Sequence, residues 1–216
     1  KDLPMFVPYP SDQTYYMYQN DFFTYNSGDW TITTTEAGTG SATEAVTSSA
    51  GGALLLTNAA GDNDLDFLQL KGEGFKLSTS KRAYFSARFK VSDATQSDFV
   101  IGLGITDTTP LDTTDGVFFL KADGGTGLDF LVEKDNSATT TSSVATIADD
   151  TFIVATWFID PDTSKVYYSI NNAEPVAVAN TNLVTDEELT VSFGIQNGEA
   201  AAKTMTIDYV VAAVER

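Results

Sequence analysis

At 216 residues, with 12 lysines and arginines against 30 aspartates and glutamates, the chain carries a formal charge of −18 and has neither histidine nor cysteine. The missing cysteine excludes disulfides and thiolate metal centres, and the missing histidine removes the commonest general base, zinc ligand and pH switch. The acid excess repels a phosphate backbone, so nucleic acid is not an expected partner, and no apolar run approaches the roughly 20 residues of a membrane span.

Taken from the N-terminus, the opening Lys1-Asp2-Leu3-Pro4 lacks a basic region running into an apolar stretch, so no secretory signal is expected there. Because the chain starts without methionine, an earlier segment is expected to have been removed or left out of the numbering. Residues 1–25 concentrate aromatics: Phe6, Tyr9, Tyr15, Tyr16, Tyr18, Phe22, Phe23 and Tyr25, interleaved with Pro4, Pro8 and Pro10. Proline removes ladder donors and fixes an extended backbone, so residues 1–20 read as an arm. An aromatic arm must cover its apolar area, either on its own domain or on a neighbour. Phe6, Tyr9, Tyr15, Tyr16 and Tyr18 are therefore the expected contact residues.

From Trp30 onward, short apolar runs alternate with turns. The run 31–35 is β-branched, 54–57 is a buried Leu-Leu-Leu-Thr, and Leu65, Phe67 and Leu70 belong to the next strand. The clearest strand is 83–91, where Phe85, Ala87, Phe89 and Val91 share one face and Ser86, Arg88 and Lys90 the other. The run 99–106 is apolar on both faces and should be central, its glycines marking a bulge or a close backbone approach. Runs 117–120 and 128–133 flank the glycine-rich hairpin signal 121–127, and the polar tract 139–143 is an exposed edge or a loop. Runs 152–159 and 165–170 flank Asp160-Pro161-Asp162-Thr163-Ser164, and 174–179, 189–196 and 204–214 complete the series. About thirteen strands without an amphipathic helix or a dividing linker predict one domain, a sandwich or barrel, over 21–216.

Catalytic chemistry finds little purchase. A serine–histidine pair is impossible, and none of the glycine clusters leads into a helix that could cradle a phosphate. Sandwich glycosidases of the laminarinase type carry a Glu-x-Asp-x-x-Glu run; Glu133-Lys134-Asp135 begins it, but Ala138 stands at the third acid. No catalytic residue is therefore expected. Asp62, Asp64 and Asp66 are a weak calcium candidate, with a turn feeding a strand as the plainer explanation; otherwise no cofactor is expected. Six basic residues fall between 71 and 90, among them Lys81 and Arg82, while none lies between Asp2 and Leu70. If those residues point outward, that asymmetry gives a sign-separated surface suited to head-to-tail contact between copies or docking on an acidic surface; a solvated strand face is the plainer explanation. Trp157 sits in an apolar run and reads as core; Trp30, beside Gly28-Asp29, is the more exposable of the two and the candidate for stacking on a sugar, with core packing the plainer explanation for both.

The order Asp21-Phe22-Phe23, Gly28-Asp29-Trp30-Thr31, Gly61-Asp62-Asn63-Asp64, the strand 83–91 and Phe99-Val100-Ile101-Gly102-Leu103 resembles a family of tailed-phage virion proteins. Asp115-Gly116-Val117-Phe118-Phe119 and Thr206-Ile207-Asp208-Tyr209-Val210 extend the likeness from Asp21 to the C-terminus. The resemblance implies an all-β, concanavalin-A-like (laminin-G-like) jelly-roll sandwich with an N-terminal arm, and a head decoration or cement role without catalytic residues. It further implies the major capsid protein and other copies of the chain as partners, with assembly in the host cytoplasm and residence on the virion. A carbohydrate-binding module for host or surface adhesion, with a glycan as partner, is the alternative expectation.

Overall fold

The computed structural model describes residues 14–216, and its regular structure is almost entirely strand. In chain order the strands are β1 (Tyr15–Asn20), β2 (Trp30–Thr35), β3 (Thr43–Val46), β4 (Leu54–Thr57), β5 (Leu65–Leu70) and β6 (Phe75–Lys76). Then come β7 (Ala83–Val91), β8 (Ser97–Gly104), β9 (Gly116–Lys121), β10 (Gly127–Lys134) and β11 (Ser137–Thr146). The last are β12 (Ile153–Asp160), β13 (Lys165–Ile170), β14 (Val176–Ala179), β15 (Glu188–Asn197) and β16 (Thr204–Glu215).

They form two antiparallel eight-stranded sheets. The first runs β14-β13-β12-β7-β16-β4-β3, with β1 continuing the sheet beside the C-terminal half of β16. The second runs β11-β10-β9-β8-β15-β5-β2, with β6 beside the start of β15. The two inner faces meet in one aromatic interior, where Phe85 stacks on Trp157 and Phe89 meets Phe99 edge-on. This is the predicted concanavalin-A-like sandwich. The period-two reading of 83–91 holds for Phe85, Ala87, Phe89 and Val91, which are buried, and for Arg88 and Lys90, which face out; Ser86 shares their face but is itself buried, hydrogen-bonded to Thr156.

The arm expected over 1–20 is shorter. Residues 15–20 form β1, so Tyr15, Tyr16 and Tyr18 belong to the sandwich, because alternation along β1 turns Tyr16 and Tyr18 inward. Tyr16 lies 5.9 Å from Phe75, and Tyr18 meets Trp30 edge-on. Phe6 and Tyr9 lie outside the described residues.

Two glycines decide how closely neighbouring strands of the second sheet can carry bulky rings on its outer face. Gly194 lies opposite Phe67, and a Cβ there would fall 2.4 Å from the Phe67 ring and 2.5 Å from its Cα. Gly102 lies opposite Phe118, and a Cβ would fall 2.5 Å from the Phe118 backbone. The rings thus lie over bare backbone, the close approach expected of strand glycines. Gly194→Ala should lower stability by about 1–3 kcal/mol through overpacking. Gly125→Ala, which meets nothing within 4 Å, should stay within about 0.5 kcal/mol of the parent. Paired urea denaturation midpoints check both.

Candidate functional site

The outer face of the second sheet carries four rungs, of which Thr35–Leu65–Gln196–Asp98 lies at one end. Another is Thr31–Gln69–Ser192–Gly102–Phe118–Leu131–Thr140, and a third is Thr33–Phe67–Gly194–Val100–Leu120–Asp129. The fourth, Thr190–Gly104–Gly116–Glu133–Ala138, closes the other end. Its centre is apolar: Leu65, Phe67, Val100 and Phe118 form a buried cluster joined by Leu111, Leu120 and Leu131.

The connection 105–115 folds over this face, and Gln69 fastens it. The Gln69 amide donates to the Ile105 carbonyl at 2.8 Å and accepts the Asp107 N–H at 3.0 Å. Glu73 accepts the Thr106 N–H, and Asp115 accepts the N–H of Asp135 in the next hairpin. Beneath the connection, the recess between Gln69, Gly102, Pro110, Thr113, Phe118 and Ser192 is too small for a water molecule. The face is a filled surface. At the corner formed by Glu133 with Asp112 and Asp115, burial, then those two charges, raises the Glu133 carboxyl above its ordinary range. Asp135, the second acid of the partial glycosidase run, has φ 49° and sits in the β10–β11 turn.

Several expected site residues are engaged elsewhere. Trp30 is 3 % exposed and packs 5.1 Å from Phe193, because its rung opposite Leu70 turns it into the gap between sheets; it cannot stack on a sugar. The expected basic patch is dispersed by pairing. Arg82 meets Asp162 at 2.6 Å, Arg88 meets Asp208 at 2.6 Å, Lys90 meets Asp150 and Lys76 meets Glu188. Lys71 donates to the Gly28 carbonyl. Lys81 makes no ion pair with another described residue.

The calcium candidate also separates. Asp64 is fully buried, and its carboxylate accepts the N–H groups of Ala37, Gly38 and Gly61, which hold it below its ordinary range. It ties two loops together. Asp62 is exposed, Asp66 faces the interior, and among the described residues no three acidic side chains converge for a metal. Asp66 is the unusual member: it is fully buried with neither oxygen hydrogen-bonded. Burial, then the neighbouring Glu44 and Glu36, push its carboxyl up to about 8.

Sequence reading gave no role to three other residues. Gln69 fastens the 105–115 connection, as described. Lys121 is buried with its ammonium donating to the carbonyls of Thr95 and Ser97; burial lowers its pKa against the opposing pull of Asp98, Asp123 and Asp93. Lys203, also buried, bridges Asp93 at 2.7 Å and Glu199 at 2.5 Å. Only the tertiary arrangement of carbonyls and carboxylates marks these residues; a lone lysine in sequence carries no such signal.

On the outer face of the first sheet a single rung reads Ala177–Tyr167–Phe158–Tyr84–Ala213–Met17. Phe158 and Tyr167 stack with centroids 4.9 Å apart. At the sandwich end, Phe22 takes a left-handed backbone (φ 51°) with its ring fully buried against Phe193, and this leaves Phe23 71 % exposed.

Neither a family model nor a curated protein matches the chain. Solved structures do. The Emp47p carbohydrate recognition domain aligns over 95 % of this chain and 99 % of its own, with TM-score 0.64 and 13 % identity. An endo-1,3-beta-glucanase from Streptomyces sioyaensis aligns over 96 % and 99 %, with TM-score 0.63 and 14 % identity. A protein of unknown function from Shewanella oneidensis MR-1 aligns over 94 % and 87 %, with TM-score 0.64 and 13 % identity. At these identities the likeness establishes the fold, which serves both lectin domains and glucan-cleaving enzymes.

The Asp93–Lys203 pair gives a pH prediction. The Lys203 ammonium, then the backbone N–H groups of Gln96 and Thr95, hold Asp93 down to about 2 against an ordinary 3.8. A carboxyl depressed by folding stabilises above its unfolded pKa and loses that contribution as pH falls toward the folded value. The stability difference between the parent and Asp93→Asn should be constant above about pH 5 and shrink between about pH 4 and 2. Urea midpoints across that range measure it.

Proposed function

We propose that this chain is a non-enzymatic structural protein that decorates or cements the capsid of a tailed phage, through contacts with the major capsid protein and with its own copies. The observation that carries the non-enzymatic part is the filled outer face of the second sheet. Phe67 and Phe118 occupy it, the 105–115 connection covers it, and the rung from Thr31 through Phe118 to Thr140 carries no carboxylate. A glycosidase needs opposed carboxylates about 5–10 Å apart across an open cleft, and the partial acidic run ends in a turn. The family resemblance over 21–216 supplies the virion part of the reading. The acidic surface suits a crowded outer shell, and repeated copies let modest contacts add through avidity. Residues 1–12 and Lys81 are the fastening elements in this reading, and the host cytoplasm is the place of assembly.

A second reading, a carbohydrate-binding module for adhesion, has support in the fold shared with a carbohydrate recognition domain. With Trp30 interior, its stacking ring would be the exposed Phe23.

Purified particles should carry the chain at a fixed ratio to the capsid subunit, and removing residues 1–12 should reduce particle attachment at least tenfold while leaving the thermal midpoint unchanged. Particles that lack the chain would end the decoration reading, and undiminished attachment would end the role of the arm. A saturable glycan-array signal lost in Phe23→Ala would favour the second reading instead.

A further inference from the structure

At one end of the gap between the sheets, both Asp66 carboxylate oxygens and Asn58 Oδ1 are buried without a donor. On the second sheet, the inward rung Thr34–Asp66–Ile195–Phe99 places Asp66 one strand from the edge. On the first sheet, the inward rung Val91–Met205–Leu56–Glu44 ends with Glu44 on the edge strand β3. Glu44 is the foremost neighbouring charge acting on the Asp66 carboxyl, and neither group offers the other a donor when both are ionised.

Other oxygens surround them. Asn58 spends its amide N–H groups on the carbonyls of Asp64 and Ile195 and on Asn197 Oδ1, while its own Oδ1 is buried without a partner. Ile195 is the rung neighbour of Asp66, so both orphaned side chains flank the same residue. The Tyr25 hydroxyl approaches Glu44 Oε2 at 3.4 Å, and Glu36 adds a further negative charge nearby.

Buried carboxylate oxygens with no hydrogen bond are costly and call for a counter-charge. Carboxylate, amide and phenol oxygens are hard donors, the kind that calcium takes in flexible geometries with water completing the shell. Magnesium demands a stricter octahedron and holds its water more firmly. Asp66 and Glu44 together match one divalent charge, and the half-buried Glu44 on an edge strand leaves a path from solvent.

We propose that Asp66 and Glu44, joined by Asn58 Oδ1 and the Tyr25 hydroxyl, bind a calcium ion that clamps the two sheets at this end. The site differs from the 62/64/66 candidate of the sequence, sharing only Asp66, and is independent of the decoration reading. With two carboxylates it belongs to the weaker calcium sites, with a dissociation constant on the order of 10⁻⁴ M.

Terbium tests the site in the intact chain, because a tyrosine beside the ion sensitises its luminescence. Terbium titration should give a saturable emission that calcium displaces, and calcium should raise the thermal midpoint. Glu44→Gln, at the sheet edge, should weaken binding at least tenfold, and Asp66→Asn should abolish both effects. Asp62→Asn, on the exposed turn, should change neither. Emission that does not saturate, that is equal in the parent and Glu44→Gln, or that is absent at millimolar terbium overturns the proposal; the thermal midpoints of both site variants without calcium establish that they are folded.

Discussion

Two sheets packed face to face leave a gap of about 10 Å from which water is excluded, and every side chain pointing inward must accept that medium. Aromatic rings fill most of it: Trp157, Phe85, Phe89, Phe99, Phe119, Phe130 and Phe193 are all fully buried. A charge caught at its margins must be matched or neutralised. Lys121 and Asp66 occupy the same inward rung, separated by Phe99 and Ile195, and so cannot pair with each other. Lys121 is satisfied by two carbonyls, Lys203 by two carboxylates, and Asp66 by no hydrogen bond at all. The interior therefore sorts its polar residues into those that lock loops and one that calls for a proton or an ion.

The outer faces follow a different rule. On the second sheet, glycines opposite Phe67 and Phe118 let the rings settle onto backbone, and Gln69 holds a connection across them. What remains is a smooth surface in place of a cleft. The same architecture serves lectin domains and a glucanase among the solved structures that it resembles, so the fold leaves the role open and the filling of this face bears on it.

Much of the sandwich could be read from alternation alone. The strand 83–91 and the doubly apolar 99–104 were legible because one face, or both, must be buried whatever the partner strand. Strands β3 and β11 were harder: the first was not anticipated, and the polar 139–143 left edge and loop undecided. Both lie at sheet edges, where polar residues are tolerated. The neighbouring Gly-Asp kept an exposed Trp30 open beside the plainer core reading, and the register opposite Leu70 fixes it inside. The ion pairs of the basic stretch were not legible because charge order along a chain says nothing of its partners: Arg82 and Arg88 find acids 80 and 120 positions away. Asp64 and Asp66 look alike in sequence, yet one meets three N–H groups and the other none.

Phe22 carries a left-handed backbone that bulky residues rarely adopt. Its buried ring and the N–H it donates to Asn20 Oδ1 at 2.8 Å hold that conformation in place. The adjoining Phe23 is consequently aimed at solvent by a rigid mount. An aromatic held this way surrenders little freedom when something settles against it, so whatever meets the molecule at this end finds a ring already set in its bound posture.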